Sequence, residues 1–315
     1  MTTLARRPLG SSGIVVSELS LGSWRTYERI PREVGIAVMQ TAREHGINFL
    51  DDARYNDETG DAPMKSGHSE VVFGELFRAS GWKRDEVVLA NKLWWEFWPE
   101  ETAAIELEGS LKRMRMDYLD LAYAERPHEG QRIEEIVGEI GALIVAGKLR
   151  AWGVLNWPAA KVEEATRVAG AEGVPPPCAA QLAYSLVRRA PVEDQDMIDA
   201  LTAAGASVVA SYSLDGGALT GKYAAPGAKG RMTDQLDARD YAPALRAGDE
   251  LRVLAERAGA RPAAMAIAFA LLNPLVASVL FGATSPDQIT ENLGAVKLQS
   301  TMDEKTVAGL RRIGA

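Results

Sequence analysis

Short β-rich runs alternate with amphipathic helical patterns along the chain, and this alternation is the feature that most limits how it can fold. The runs recur mostly at intervals of about thirty residues, which is typical of βα units that build a parallel sheet. The strand candidates end near Leu21, Asp51, Lys92, Ala124, Leu155, Tyr184, Ser211 and Phe281. Eight such units predict an α/β fold of the (β/α)8 TIM barrel type, as a single domain over residues 1–315.

The ends of the helices are marked by prolines and glycines. Pro31 and Pro99 are predicted to open helices, and Gly46, Gly147, Gly170 and Gly205 to end them. Ahead of the first unit, two short strands around Ser12-Gly13 predict an N-terminal β-hairpin that plugs the bottom of the barrel. Helices are expected to follow the last strand. A doubly wound open sheet is the alternative, but the segment Leu21-Gly22-Ser23-Trp24 lacks its GxGxxG phosphate turn.

Composition excludes several classes of function. The net charge of −8 argues against binding to nucleic acid. The N-terminus has no signal-peptide pattern, and the longest apolar run, Ala263–Leu272, is too short to span a bilayer. The lone cysteine, Cys178, fits a reducing compartment. We therefore expect a cytoplasmic protein that acts on a small molecule, without a metal site and without a membrane partner.

A carboxylate, a phenol and an ammonium stand where predicted strands end. Asp51 and Lys92 each close a strand, and Tyr55 follows four residues after Asp51. A neighbouring ammonium favours the phenolate and so lowers the pKa of a tyrosine, while an aspartate keeps the lysine charged. The trio therefore predicts a tyrosine that donates a proton during catalysis.

Two long connections and a group of aromatic residues are expected around this site. The segments 55–67 and 222–242 are longer than a barrel needs, which favours a role in binding substrate or cofactor. The aromatic residues lie in predicted loops: Trp24, Tyr27, Trp94, Trp95, Phe97 and Trp98. They predict either an apolar pocket for a bulky or aromatic carbonyl compound or simple packing at the barrel rim.

Nine segments in order resemble the aldo-keto reductase family, in particular the branch of bacterial reductases that includes the β-subunits of voltage-gated potassium channels. They are LGSSGIVVSELSLGSW, GINFLDDARY, GHSEVVFGE, VVLANK, SLKRMRMDYLDLAYAE, GKLRAWGVLNW, AAQLAYSLVRR, GGALTGKY and GATSPDQITENLGA. The resemblance implies a barrel that binds a nicotinamide cofactor without a Rossmann domain. It also implies hydride transfer to a carbonyl group.

The resemblance gives roles to four catalytic residues. Asp51, Tyr55 and Lys92 match the family's aspartate, tyrosine and lysine, although Tyr55 comes one residue early. The fourth position holds Glu125 where relatives commonly have histidine. A protonated Glu125 could donate a hydrogen bond to a substrate oxygen, and the family's steroid double-bond reductases also carry glutamate there. Two alternatives are a Glu125–Arg126 pair and a local shift that brings His128 into the site.

The resemblance also implies a cofactor site. Asn156 and Gln181 match the amides that hold the nicotinamide carboxamide. Further residues at matching positions are Gly22, Ser23, Trp24, Ser211, Tyr212, Leu214, Gly282, Thr284, Gln288, Glu291 and Asn292. Lys222 and Arg231 could supply positive charge for a 2′-phosphate, so NADPH is predicted. Three hypotheses remain: a carbonyl reductase, a reductase of activated C=C bonds, and a cofactor-binding regulatory subunit with little turnover. A homo-oligomer is compatible with each.

Overall fold

The computed structural model of the protein describes residues 4–224, 233 and 241–314. Its strands are β1 Arg6–Pro8, β2 Val15–Ser17, β3 Leu19–Gly22, β4 Phe49–Asp51, β5 Val88–Leu93, β6 Leu119–Ala124, β7 Leu149–Leu155, β8 Ala179–Ala183, β9 Ser207–Ser211 and β10 Val276–Phe281. Strands β3 to β10 form a closed barrel in sequence order, with β10 beside β3, and all neighbours are parallel. The antiparallel pair of β1 and β2 precedes it. The predicted TIM barrel and hairpin are confirmed.

The helices connect the strands and cover the outside of the barrel. They are α1 Arg32–Glu44, α2 His68–Ala79, α3 Ala103–Met114, α4 Ile133–Val145, α5 Ala159–Glu172, α6 Ala190–Glu193, α7 Gln195–Ala204, α8 Ala242–Arg257, α9 Pro262–Leu271, α10 Pro286–Thr301 and α11 Glu304–Arg312. Short 3-10 helices span Tyr27–Arg29, Arg84–Glu86, Asp215–Thr220 and Lys222–Ala224. Among the described residues, no helix is both long enough and apolar enough to cross a membrane.

Two predicted helix boundaries are wrong. Pro99 lies in the loop before α3, whose N-cap is Thr102; its side chain accepts a hydrogen bond from the backbone N–H of Ile105. A threonine oxygen satisfies a free N–H of the first turn, which a proline ring cannot do. Gly170 lies within α5, and the helix ends at Gly173 in the left-handed conformation, with φ of 68°. That conformation favours glycine and stops the helix.

Alternation along the strands sorts side chains between two apolar layers. Phe49 and Ala90 belong to the cluster inside the barrel, whereas Leu50 and Leu89 belong to the cluster beneath the helices. Residues two apart on a strand face the same side. Strands β4 and β5 therefore bring their last interior positions, which include Asp51, to the carboxyl end of the barrel.

The hairpin closes the opposite end of the barrel. In its turn, the backbone N–H of Gly10 donates to Ser207 Oγ at 2.9 Å, and that of Ser11 donates to the carbonyl of Gly205 at 2.9 Å. Both acceptors lie at the amino end of β9. Because the hairpin covers the amino ends of the strands, a ligand has access from the carboxyl end, where the active sites of TIM barrels lie.

Candidate active site

A cavity of about 940 Å³ lies at the carboxyl end of the barrel, near the upper end of the usual range for ligand pockets. It is lined by all but two of the residues that the sequence predicts: Gly22, Trp24, Asp51, Tyr55, Lys92, Glu125, Asn156, Gln181, Ser211, Tyr212, Leu214, Lys222, Gly282, Thr284, Gln288, Glu291 and Asn292. Ser23 instead faces away, and its hydroxyl donates to Asp52 at 2.5 Å. Arg231 lies outside the described residues.

Lys92 is the centre of a buried polar group. Its ammonium donates to Asp51 Oδ2 at 2.6 Å and to the carbonyl of Asp52 at 2.7 Å. Gln181 Nε2 donates to the same Asp51 oxygen at 3.0 Å. Burial raises the pKa of Asp51, and Lys92 and Gln181 oppose that rise. Strands β4, β5 and β8 thus contribute one residue each to a fixed set beneath the cavity.

Tyr55 has a different partner from the one that its sequence position predicts. Its hydroxyl accepts the backbone N–H of Arg25 at 2.8 Å, and among the described hydrogen bonds none joins it to Lys92. Burial raises the pKa of Tyr55, and the carboxylate of Glu28 adds to the rise. The expectation that Lys92 lowers the pKa of Tyr55 is wrong for this arrangement, because burial and the Glu28 carboxylate determine the shift.

Glu125 lines the cavity wall, where its own loop after β6 meets the loops after β5 and β7. The indole N–H groups of Trp95 and Trp157 both donate to its carbonyl, at 3.1 and 2.8 Å. Burial raises the pKa of the Glu125 carboxyl, while Arg126 and Lys92 partly oppose this. A carboxyl with a raised pKa keeps its proton to higher pH and can donate it to an oxygen.

The alternatives for Glu125 are a pair with Arg126 and a shift of His128 into the site. Glu125 meets Arg126 only through the Arg126 backbone, and His128 stays outside the cavity. The Oε1 atom of Glu125 accepts the backbone N–H of Arg126 at 3.1 Å, while the Arg126 guanidinium donates through Nε to the carbonyl of Asn156. The Nε2 atom of His128 lies 2.9 Å from the carbonyl of Trp95 and its ring stacks on Trp98. The shift that would bring His128 into the site is therefore wrong.

Glu106 is a site residue that the sequence reasoning missed. It lies on α3 and its carboxylate accepts the backbone N–H groups of Trp94 at 2.6 Å and Trp95 at 2.9 Å. These two bonds hold the loop that follows β5, the strand that carries Lys92. A glutamate in a helical pattern gives no signal of this role, because the loop reaches it only in the folded chain.

The predicted aromatic pocket is only partly formed. Trp24 and Trp94 line the cavity. The other four aromatic residues do not: Tyr27 and Trp95 are buried in the core, Phe97 is exposed, and Trp98 packs on His128. Three arginines that the sequence reasoning did not single out line the cavity near the aromatic side chains: Arg25, Arg29 and Arg54. The wall beside Tyr55 is thus more strongly charged than its sequence suggests.

Left-handed backbone conformations concentrate on the same rim. The described non-glycine residues with positive φ in loops after barrel strands are Arg25, Trp95, Asn156, Tyr212 and Asp215. Such conformations are strained for arginine, tryptophan and tyrosine, less so for asparagine and aspartate, and they cluster at functional sites. In Tyr212 the strained backbone accompanies a ring that lies 5.8 Å from the ring of Trp24. Three of these five residues also line the cavity: Arg25, Asn156 and Tyr212.

The residues that could hold a dinucleotide lie on opposite sides of the cavity. Asn156 Oδ1 accepts the backbone N–H of Ala183 at 3.3 Å, and the side-chain nitrogen has no partner among the described residues. On the other side, Gln288 Oε1 accepts the backbone N–H of Thr284 at 2.8 Å, beside the N-terminus of α10. A free amide donor on one side and a helix N-terminus on the other suit a carboxamide and an anion.

The chain is a closed parallel barrel that carries a lysine–aspartate pair at its carboxyl end. Residues 18–314 match the Aldo/keto reductase family, and the chain belongs to it. Members of this family generally bind NAD(P)H.

Two plant proteins are similar to nearly the whole chain. A "Probable voltage-gated potassium channel subunit beta" of Oryza sativa subsp. japonica is 33% identical over 307 residues, covering 91% of this chain and 90% of the relative. A protein of the same name from Arabidopsis thaliana is 32% identical over 303 residues, with 91% and 90% covered. The resemblance inferred from the nine sequence segments is confirmed.

Proposed function

We propose that this protein is an NADPH-dependent reductase that transfers hydride to the carbonyl of an aromatic aldehyde or ketone. The observation that carries the proposal is the Lys92–Asp51 pair, with Nζ and Oδ2 2.6 Å apart, at the closed end of a cavity that Tyr55 and Glu125 also line. Trp24 and Trp94 support an aromatic substrate, because both line the cavity. A cytoplasmic location is part of the proposal and rests on the lone Cys178.

The cofactor supplies the hydride when it is bound. Asn156 and Gln181 would hold the nicotinamide amide, and Gln288 and Asn292 the adenosine side. Support for NADPH over NADH comes from cationic side chains at the cavity. Lys222 lines the cavity, and so does Arg261, whose Nη2 lies 3.6 Å from the carboxylate of Glu291, a predicted cofactor-binding residue.

Two residues can protonate the substrate oxygen. Tyr55 is protonated at neutral pH, as any phenol is, and burial raises its pKa further. Glu125 holds its proton to higher pH than an exposed glutamate. The Lys92 ammonium, anchored by Asp51, contributes positive charge where an oxyanion would develop. Because the Tyr55 hydroxyl accepts from the Arg25 backbone N–H, its own hydrogen can donate to a substrate oxygen while that bond persists.

Reduction of an activated C=C bond is the second candidate. The raised pKa of Glu125 favours it, since a protonated carboxyl could polarise the carbonyl of an enone while hydride reaches the far carbon. A third reading is a cofactor-binding regulatory subunit with little turnover. It has weak support from the names of the two plant relatives.

A cofactor-oxidation assay tests these alternatives. Purified protein is mixed with NADPH and a panel of aromatic aldehydes, ketones and enones, and loss of reduced cofactor and product identity are measured. We expect aldehyde-dependent turnover that falls about 10²-fold or more in Tyr55→Phe. Tyr118→Phe is the matched control, because Tyr118 precedes β6 at the other end of the barrel. If the protein binds NADPH but turns over no substrate, the regulatory subunit is favoured. If the enone is consumed and the simple aldehydes and ketones are not, C=C reduction is favoured.

A further inference from the structure

Two arginines in the cavity wall hold one carboxylate between them. Arg25 Nη2 lies 2.5 Å from Glu58 Oε1, and Arg29 Nη2 lies 2.6 Å from Glu58 Oε2. Both arginines line the cavity, whereas Glu58 does not. Two guanidinium groups that each bind one oxygen of the same carboxylate form a strong, charge-assisted site for that group.

Arg25 has a donor that Glu58 leaves unused. Its Nε is buried and has no hydrogen-bond partner among the described residues, which costs free energy unless a ligand oxygen satisfies it. The guanidinium lies 4.9 Å from the centre of the Trp24 ring. The backbone N–H of the same residue binds the Tyr55 hydroxyl at 2.8 Å. Arg25 thus contacts the aromatic wall through its guanidinium group and the proposed proton donor through its backbone.

Glu58 is held mainly by its ion pairs with Arg25 and Arg29 and only slightly by packing. It lies in the loop between β4 and α2, and 38% of its side chain is exposed. Partial burial would raise the pKa of Glu58, but Arg25 and Arg29 together hold it below its ordinary value. Glu28 also faces this group, with Oε1 at 3.1 Å from Arg29 Nε. Glu58 is thus an ionised carboxylate that could leave for solvent when another carboxylate arrives.

Arg54, the third arginine of this cavity wall, has a purely structural role, because all its nitrogens bind other side chains. Its side chain is only 5% exposed, and it contacts Glu96 at 2.8 Å and Glu106 at 3.4 Å. Its Nε donates to Ser66 at 3.2 Å. All three nitrogens of Arg54 have partners, so a ligand gains little there. Arg25 and Arg29 instead share Glu58, a carboxylate that a ligand could replace.

We propose that Arg25 and Arg29 form a subsite for a carboxylate of the substrate, which takes the place of Glu58. The preferred substrates are then aromatic carbonyl compounds that carry a carboxylate. The exchange conserves the number of ion pairs, and a carboxylate that binds Arg25 side-on, through Nη2 and Nε, would also satisfy the buried Nε. This inference rests on the proposed reductase function, and it narrows the substrate class.

Matched substrates and three variants test the subsite. The carboxybenzaldehydes, with the acid at each ring position, are compared with their methyl esters, which match them in ring and aldehyde. We expect at least one acid to exceed its ester about 10-fold in kcat/KM. Arg25→Met should reduce that ratio about 10-fold, to near one, as expected for a lost charge-assisted bond. Glu58→Gln should instead lower KM for the acid several-fold, because it removes the competing carboxylate.

Opposite effects of the two substitutions separate a subsite from a structural clamp, since loss of a clamp would impair both variants alike. Arg32→Gln is the control, because Arg32 forms a surface pair with Glu75 outside the cavity. It should leave the acid-to-ester ratio unchanged. If the ratio is near one in wild type, or if Glu58→Gln raises KM for the acid, the subsite is refuted while ester reduction still supports the reductase.

A binding measurement makes the two proposals separable. Calorimetric titration with benzoate and benzamide in the presence of NADP⁺ reports the subsite without turnover. We expect benzoate to bind at least several-fold more tightly, and Arg25→Met to abolish the difference. If no aldehyde is reduced but this pattern holds, the reductase proposal fails and the subsite stands. Equal binding of the two probes overturns the subsite.

Discussion

Asp51 and Asp52 are neighbours in the chain, yet they have unrelated roles because successive strand residues face opposite sides of the sheet. Asp51 faces the cavity and binds Lys92. Asp52 faces the helical layer, where one oxygen accepts from Ser23 and the other is buried without a partner among the described residues. Burial, followed by the charge of Glu70, raises the pKa of Asp52 well above its ordinary value.

Asp52→Asn should stabilise the protein at neutral and alkaline pH. The folded state keeps a proton on Asp52 that the unfolded state loses above about pH 4. The free energy of unfolding of wild type therefore falls as pH rises above that value, by about 1.4 kcal/mol for each unit over which the states differ by one proton. Urea unfolding at about pH 5 and pH 8 measures this, with exposed Asp249→Asn as the control. An unchanged pH slope in Asp52→Asn would contradict the assignment.

Glu125 governs the predicted pH profile of catalysis. Since its pKa is raised by burial and its protonated form donates to the substrate, activity should fall as pH rises through that pKa. Glu125→Gln can donate but cannot ionise, so it should retain more of its activity at high pH than wild type does. The measurement is kcat/KM against pH for both proteins. If the pH profiles of wild type and Glu125→Gln are parallel, Glu125 does not take part in the reaction. The argument for C=C reduction then fails as well.

At the scale of elements, the hairpin of β1 and β2 depends on a close approach that its sequence does not reveal. Gly10 has φ of +53°, and a Cβ there would lie 2.2 Å from the carbonyl oxygen of Cys178 and 2.5 Å from that of Gly205. Gly13, in the same turn, has φ of +74° but no atom within 4 Å of its would-be Cβ. Both positions favour glycine by conformation, but only Gly10 also needs the space.

Gly10→Ala should therefore destabilise the barrel far more than Gly13→Ala. The control substitution costs about 1 kcal/mol for the left-handed backbone, whereas Gly10→Ala adds an overlap with two backbone oxygens and should cost roughly 3 kcal/mol or more. Denaturant unfolding of the two variants gives the difference directly. Similar losses for both would mean that the hairpin shifts easily at the bottom of the barrel.

At the scale of the whole molecule, the proposed cofactor site combines residues from β7 and β8 with residues from α10, which follows the last strand of the barrel. Asn156 follows β7 and Gln181 lies on β8, while Gln288 and Asn292 lie on α10 after the last strand. A ligand that contacts all of them would bind only the closed barrel. A ligand that binds only the folded state stabilises that state by an amount that depends on the ligand concentration relative to its dissociation constant.

NADPH should consequently raise the free energy of unfolding, by about 2.7 kcal/mol at 100 times its dissociation constant. Gln288→Leu should shift this response to higher NADPH concentration, whereas Gln195→Leu, on the exposed surface of α7, should not. Thermal unfolding at several NADPH concentrations gives both curves. A stabilisation that is identical in Gln288→Leu would move the adenosine contact away from α10.

The sequence by itself determined the barrel, because hydrophobic periodicity and the prolines and glycines at helix ends are local patterns that can be recognised without knowing any tertiary contact. It also placed Asp51 and Lys92 together, since parallel strands bring their carboxyl ends to one rim. The eight predicted strand ends agree with the structure to within one residue. The catalytic roles of these residues stay predictions.

Only the tertiary structure decided which partners each side chain meets. Tyr55 binds the Arg25 backbone, and Glu106 reaches the loop after β5. Arg25 and Arg29 share Glu58, which lies about thirty residues along the chain in another loop. These contacts depend on loop conformations and side-chain directions at the rim, and those follow from packing between distant segments. Periodicity within one segment carries no information about them.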